Sequence, residues 1–199
     1  DPKGSVGFNL TDSSAYKFEI DSTSTSTQNS AVGGIVSGKE NEFGVTVEDS
    51  NILVLSAATQ SKSTLTSIYK FKLEEGKYYR LNFDLRTIFN IDEDAIKANK
   101  EHDCKYGVSV GLSGFDLATK LKSNDAFETY TIILKANTAG NQNFTFTLDC
   151  DCNESIGSAY LTHISFTETT ENDFNSASTS DKFEKTLFTS NEINASDDE

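Results

Sequence analysis

Five polar or aromatic side chains alternate along one short segment of the sequence, so that a strand would present them together to a polar ligand. They are Tyr78, Arg80, Asn82, Asp84 and Arg86. A sugar-binding site needs flat apolar surfaces together with polar groups that satisfy hydroxyls. The alternative interpretation is a solvated strand face with cross-strand ion pairs, which the usual exposure of charged residues favours. The row is therefore a candidate ligand-binding face, and both interpretations stay open from sequence.

This row lies in a stretch whose pattern indicates a strand, a turn and a second strand. Residues 68–73 and 79–85 both alternate between apolar and polar residues, as strands with one face on a core do. The sequence Glu-Glu-Gly-Lys at 74–77 is typical of a turn, in which Gly76 takes a positive φ. We predict a hairpin here, with the row pointing away from the core.

Short alternating segments recur along the chain, and polar turns separate them. They are residues 43–48, 51–57, 106–112, 129–136, 144–150 and 160–166. With hardly a helix between them, they predict an all-β, antiparallel sandwich or barrel. Residues 21–30 are interpreted as a polar loop or linker, and residues 90–103 as a short helix or a mobile loop.

The core pattern fades after Phe166. We therefore predict one domain over residues 1–168 and a polar linker or tail over residues 169–199. The segment at 181–190 carries apolar residues and is expected to dock on the domain, to begin a neighbouring module, or to stay disordered until a partner binds. Both terminal segments are expected to be polar and partly disordered.

The negative charge of the chain disfavours some classes of binding partner. The formal net charge is −14 and the sequence pI is about 4.5. Nucleic acid and anionic membrane surfaces are not expected as partners, because this field repels them. No apolar run approaches the roughly 18 residues that cross a bilayer. The abundance of Ser, Thr and Asn is common in secreted and surface domains, and a chain with no Met is expected to be an excised or processed piece.

The cysteines do not form a recognisable metal or catalytic motif. Cys150 and Cys152 would share one face of a strand, where a bond between them is sterically awkward. Cys104 is therefore the better disulfide partner for either, and free or buried thiols are the alternative. We expect no metal at these thiols and no catalytic pair between His102 and Cys104. The acidic residues at 92–94 are expected to form a solvated loop rather than a calcium site.

The order of several motifs resembles that of a known family. These are VGFNL at 6–10, FGVTVED at 43–49, FKLEEGKYYRLNFDLRT at 71–87, DAFETYTIIL at 125–134 and GSAYLTHISF at 157–166. Together they are similar to the jelly-roll carbohydrate-binding modules, the galactose-binding-like sandwiches of secreted and cell-surface proteins, over roughly residues 6–168. The resemblance implies a jelly-roll β-sandwich that binds glycans.

The chain departs from that family at positions that bear on binding. Phe127 stands where the family often has Trp, and the chain has no Trp at all. The resemblance implies a structural calcium site, but Asn9 and Thr162 stand where the family has its acidic residues, so no cofactor is expected and calcium is kept only as a doubtful alternative. Candidate aromatic platforms in less regular stretches are Tyr16, Phe89 and Phe115. Tyrosines with the phase of core residues are Tyr69, Tyr79, Tyr106 and Tyr130.

Three functions are compatible with these patterns. The first is a noncatalytic glycan-binding module of a larger secreted or cell-surface protein, which we prefer. The second is a structural or adhesive sandwich that binds protein rather than sugar, in association with neighbouring modules. The third is a small accessory enzyme, which we do not expect because no motif indicates a reaction. Each places the protein outside the cell or at its surface, with a glycan or a cell-surface protein as partner.

Overall fold

A computed structural model describes residues 8–9, 18–24, 31–36, 52–58, 61–67, 71–91, 94, 105–151, 155–180 and 182–189. The elements are β1 (Phe8–Asn9), β2 (Phe18–Ser24), β3 (Ala31–Val36), β4 (Ile52–Ala58), β5 (Ser61–Ser67), β6 (Phe71–Leu73), β7 (Tyr78–Ile91), β8 (Lys105–Leu112), β9 (Phe115–Leu121), β10 (Glu128–Ala136), β11 (Gly140–Gln142), β12 (Phe144–Asp151), β13 (Ser155–Thr169), α1 (Glu171–Ser176) and β14 (Phe183–Phe188).

Two large sheets form the described part of the chain. The first sheet has the strand order β14-β10-β7-β13-β4-β3, with β1 also paired to β13, and the second has the order β2-β5-β12-β8-β9. Strands β10 and β14 run parallel. The other pairs in these two sheets are antiparallel. The expected all-β, antiparallel sandwich is therefore confirmed.

The core lies between the inner faces of the two sheets. On β7 the alternation buries Tyr79, Leu81, Phe83 and Leu85, none of them more than 2% exposed. The ring of Phe83 meets that of Phe146 from the second sheet edge to face, at 5.6 Å between centroids. Each such buried side chain stabilises the fold by about 1.5–3 kcal/mol. The alternate residues of β7 consequently point to the outer face of the first sheet.

The predicted hairpin at residues 68–85 is wrong, although its turn is present. The amide of Lys77 donates to the carbonyl of Glu74 at 3.2 Å, and Gly76 has φ +83°. Tyr79 lies beneath the turn, where burial raises the pKa of its hydroxyl and the Glu74 amide donates to that hydroxyl at 2.9 Å. Strand β6 pairs with β11, whereas β10 and β13 occupy both edges of β7. Alternation shows which face of a strand is buried, but it does not show which strand is its neighbour.

Several strands are longer than the sequence predicted. Strands β7 and β13 exceed the predicted 79–85 and 160–166, because their pairing runs from Tyr78↔Thr169 to Ile91↔Ser155 through many polar residues. Residues 21–24 belong to β2, where a polar loop was expected, because backbone hydrogen bonds to β5 do not require apolar side chains. The predicted strand at 43–48 and the rest of the predicted loop, at 25–30, lie outside the described residues.

The segment that follows β13 returns along the first sheet. The side chain of Thr170 caps α1 by accepting from the amide of Asp173 at 3.1 Å. The chain then joins the edge of β10 as β14, and Phe188 at its end is fully buried, with its ring 5.6 Å from that of Phe115. The domain boundary at residue 168 stays a prediction. In the described part, no helix is long and apolar enough to cross a membrane.

Candidate functional site

Strand β7 carries the five-residue row on the outer face of the first sheet, flanked by β10 and β13. The surroundings of the row change along the strand. The first half, Tyr78 and Arg80, lies against α1. One guanidinium nitrogen of Arg80 lies 3.2 and 3.3 Å from the two carboxylate oxygens of Asp173, and the ring of Tyr78 lies 5.3 Å from that of Phe174. Lys185 of β14 adds its ammonium 4.8 Å from the Phe174 ring. Helix α1 therefore covers this half of the row.

The middle of the row is held by neighbouring strands. Asn82 accepts a hydrogen bond from the Thr131 hydroxyl at 2.8 Å. Asp84 accepts from the Thr129 hydroxyl at 2.7 Å, and its second oxygen lies 2.7 Å from Nδ1 of His163. His163 reaches it from a bulge in β13, where the pairing register with β7 shifts between residues 162 and 165. Each polar group here has a partner within the chain.

The last residue of the row is also paired. Arg86 donates through Nε to Asp125 at 2.9 Å, with a second guanidinium nitrogen 2.6 Å from the same oxygen. Its guanidinium also lies 5.3 Å from the centre of the Tyr160 ring, within the range of a cation–π contact. Each of the five row residues thus contacts other side chains of the chain, and their role as ligand contacts stays a prediction.

The outer face of the second sheet has a different shape, because β9 bulges twice against β8. Val108 pairs with Leu121, and Val110 pairs with Ala118. One residue lies between these positions on β8 but two lie between them on β9, so β9 carries one extra residue there. Leu117, which precedes Ala118, is a second extra residue of β9. The side chains of Leu117 and Ala118 are both buried. Bulges bend a strand and redirect its side chains. Those of β9 direct the side chains of residues 119 and 120 outward, where both are exposed.

A polar hollow of about 320 Å³ lies beside these bulges; we call it the second-sheet hollow. It is lined by Tyr106, Gly107, Ser109, Asp116, Thr119, Lys120 and Asp149. Its carboxylates accept hydrogen bonds, its hydroxyls both donate and accept, and its ammonium donates. This set of groups matches a small ligand rich in hydroxyls.

Direct backbone contact forms the floor of the hollow. Gly107 has φ +139°, and a Cβ at that position would lie 2.7 Å from Cα of Lys120. Lys120 itself has φ +57°, a conformation that costs a side-chain-bearing residue about 1–2 kcal/mol. Backbone strain of this kind concentrates at functional sites. The glycine is needed because no side chain fits between the two strands.

The sequence pattern does not predict this hollow because it does not predict β9. The bulges place two adjacent residues in the core and thereby break the alternation on which strand prediction depends. One signal was present: Ser113 and Gly114 form a tight turn between β8 and β9, with φ +46° and +84°. A small-residue turn followed by an apolar segment is typical of a hairpin.

The other candidates from sequence have mixed outcomes. Phe89 and Phe115, expected as platforms, are partly buried against the core instead, and Tyr16 lies outside the described residues. Tyr79 and Tyr130 are buried as expected. Tyr106 is half-buried, with its ring 5.1 Å from that of Phe89, and Tyr69 is not described.

The thiol and metal candidates are described only in part. Cys150 is buried in the core, whereas Cys104 and Cys152 lie outside the described residues, so the disulfide predictions stay predictions. His102 and two of the three acidic residues at 92–94 are not described either. Thr162 is buried at the place where the family has its closing acid. Among the described residues, no group of three or more His, Cys, Asp or Glu side chains could hold a metal ion.

Comparison with known proteins adds evidence on the fold. Neither a family model nor a curated protein matches the chain. An exo-beta-agarase structure matches 85% of this chain with a TM-score of 0.50 and 10% identity. The enzymatically active domain of bacteriophage CBA120 tailspike protein 4 matches 80%, with a TM-score of 0.49 and 12% identity. The family 11 carbohydrate-binding module of the Clostridium thermocellum cellulase Lic26A-Cel5E matches 84%, with a TM-score of 0.45 and 14% identity.

The fraction of each matched protein that this chain covers differs among the three. This chain covers 98% of the family 11 module, but only 26% of the agarase chain and 22% of the tailspike chain. The matched proteins thus include both a binding module and enzymes. At these identities the likeness concerns the fold alone.

Proposed function

We propose that this chain is a noncatalytic glycan-binding domain and that a sugar unit binds in the second-sheet hollow. The observation that carries the proposal is the hollow itself, a cavity of about 320 Å³ lined mainly by polar residues together with the aromatic side chain of Tyr106. Ligand pockets typically measure about 300–1,000 Å³. The hollow is at the lower end of that range, which suits one sugar ring of a longer saccharide.

The lining residues supply the contacts that such a ring needs. Asp116 and Asp149 would accept hydrogen bonds from adjacent sugar hydroxyls, and charge-assisted bonds of this kind are stronger than neutral ones. Ser109 and Thr119 complete the polar set from opposite strands. The absence of a side chain at Gly107 lets a ring approach the backbone closely.

The proposal also draws on the motif order that resembles carbohydrate-binding modules. It extends to the setting of the protein: a secreted or cell-surface location, and association with neighbouring modules of a longer protein. The absence of catalysis is part of the proposal, since the hollow is lined by groups suited to hydrogen bonding and the sequence carries no reaction motif.

The five-residue row is a second candidate location for a ligand. We rank it below the hollow because a sugar would have to displace existing contacts, such as those of Asp84 with Thr129 and His163. The pairing of the row instead favours a second function, a structural or adhesive sandwich that binds protein. A rigid outer face of this kind suits contact with a neighbouring module.

A glycan array with the full chain, run with calcium and with chelator, tests these alternatives. We expect saturable binding that Ser109→Phe abolishes, because the larger side chain fills the hollow, and that Asp116→Ala weakens about tenfold. The matched controls on the other face are Asp84→Asn and Arg86→Gln, which should leave binding unchanged. Circular dichroism checks that each variant keeps its β structure.

The opposite pattern would relocate the site. Loss of binding in the Asp84 and Arg86 variants, with Ser109→Phe unaffected, would place the ligand on the row. Binding abolished by chelator would contradict the expectation that calcium is not required. A blank array with folded protein would reject glycan binding and favour the structural or adhesive function.

A further inference from the structure

A second cavity adjoins the second-sheet hollow and differs from it in charge. It measures about 470 Å³, and Thr119 and Lys120 line both spaces. We call it the lysine cavity, because Lys120, Lys122 and Lys182 line it. A saccharide longer than one unit that occupies the hollow can therefore extend into the lysine cavity without leaving the surface.

The lysine cavity is locally positive in a strongly acidic protein. The chain contains only 17 Lys and Arg residues against 31 Asp and Glu residues, yet three lysines face this one cavity and two glutamates, Glu128 and Glu184, oppose them. Lys182 is paired with Glu128 at 2.9 Å. In the part of the chain that the structure describes, neither Lys120 nor Lys122 forms an ion pair with a carboxylate. Two ammonium groups are thus available to an anion.

Lys122 lies at the boundary between the two spaces. Its ammonium is 3.5 Å from the centre of the Tyr106 ring, which lines the hollow, while the Lys122 side chain lines the lysine cavity. A cation–π contact at an exposed site is weak. An anionic group is a stronger partner for the ammonium, so this lysine can turn from the ring to the ligand at small cost.

The charges of the two spaces orient the ligand. Asp116 and Asp149 repel an anionic sugar in the hollow but accept hydrogen bonds from neutral hydroxyls. We propose that the ligand is an anionic saccharide, with a neutral unit in the hollow and the carboxylate or sulfate of a neighbouring unit in the lysine cavity. This inference rests on the proposed function and names its ligand class.

The test is an array that prints neutral oligosaccharides beside anionic ones of the same backbone: oligogalacturonate with its methyl ester, and a sulfated galactan with its desulfated form. We expect the full chain to bind an anionic member about tenfold more tightly than its neutral partner. The preference should decrease as salt is added, because ions screen exposed charges. The double variant Lys120→Gln/Lys122→Gln should bind both members of the pair equally.

A control variant separates this local effect from the change in net charge. Lys72→Gln/Lys135→Gln removes the same two charges from positions outside both cavities and should keep the preference. A preference within the oligogalacturonate pair would identify a carboxylate as the bound anion, and a preference within the galactan pair would identify a sulfate.

The remaining outcomes contradict one proposal or both. Equal binding of neutral and anionic members, abolished by Ser109→Phe, would overturn the anionic ligand and leave glycan binding intact. A preference that survives in Lys120→Gln/Lys122→Gln would also overturn it. Binding to no member of the array, or binding that Ser109→Phe does not affect, would reject the hollow as a glycan site and this inference with it.

Discussion

On the outer face of the first sheet, Arg80, Asp84 and Arg86 all contact partners within the chain, whereas on the outer face of the second sheet Ser109 and Asp116 surround a hollow. Both faces are polar, so composition alone does not separate them. The difference comes from backbone shape. Regular pairing sets side chains side by side, where they satisfy one another, whereas the bulges of β9 create a concave surface with polar groups around it.

The largest effect that tests this comparison is expected at the floor of the hollow. Gly107→Ala adds a Cβ that would lie 2.7 Å from Cα of Lys120, at a φ of +139°. Crowding and the unfavourable backbone conformation together should lower the free energy of unfolding by about 3 kcal/mol. Chemical denaturation measures the change, and glycan binding should weaken as β9 shifts.

Gly76→Ala is the matched control for this variant. Gly76 also has a positive φ, +83°, but nothing lies within 4 Å of its added Cβ. It should cost only about 1 kcal/mol, from backbone conformation alone. If both variants lose the same free energy of unfolding, the close contact between β8 and β9 does not explain why Gly107 is a glycine.

An intermediate effect is expected where α1 covers the row. A double-mutant cycle with Arg80→Gln and Asp173→Asn should give a coupling energy of about 1 kcal/mol, near the upper end for ion pairs that are partly exposed. The free energy of unfolding of the four proteins provides the measurement. A coupling near zero would indicate that α1 does not hold this half of the row, and that the two outer faces are less different than their geometry indicates.

The smallest effect is expected at the exposed pair of Glu74 and Lys77. The hydrogen bond that the Lys77 ammonium donates to the Glu74 carboxylate lowers the pKa of Glu74 below its ordinary value and raises the pKa of Lys77 above its ordinary value. The contribution of Glu74 is therefore present above its unfolded pKa and is lost as the pH falls through its lowered folded pKa. That of Lys77 is present below its unfolded pKa and is lost as the pH rises through its raised folded pKa.

Unfolding curves measured against pH check this prediction. Glu74→Gln should be slightly less stable than the parent protein near neutral pH, by less than the coupling of Arg80 with Asp173, and the difference should disappear in acid. Glu75→Gln, a change of the same type at an exposed neighbour, is the matched control. A difference that persists in acid would mean that the charge of Glu74 is not its cause.

The sequence predicted the features that neighbouring residues along one strand determine. The alternation around Phe83 identified the buried face of β7 and the direction of the row, and Gly76 identified the turn. It could not predict that Arg80 meets Asp173, because 93 residues separate them. The hollow was missed for a different reason: the bulges of β9 bury the adjacent residues Leu117 and Ala118, which breaks the alternation that identifies a strand.

The pairing of β7 with β13 has a consequence for synthesis and folding. These strands form the centre of the first sheet, and they are far apart in the chain, at Tyr78–Ile91 and Ser155–Thr169. A nascent chain that has not yet produced β13 leaves one edge of β7 open, with its backbone groups exposed to other chains. Contacts of such large sequence separation slow folding. The central pair of the first sheet therefore forms only after residues near 169 have been synthesised, and until then this edge of β7 is open to pairing with another chain.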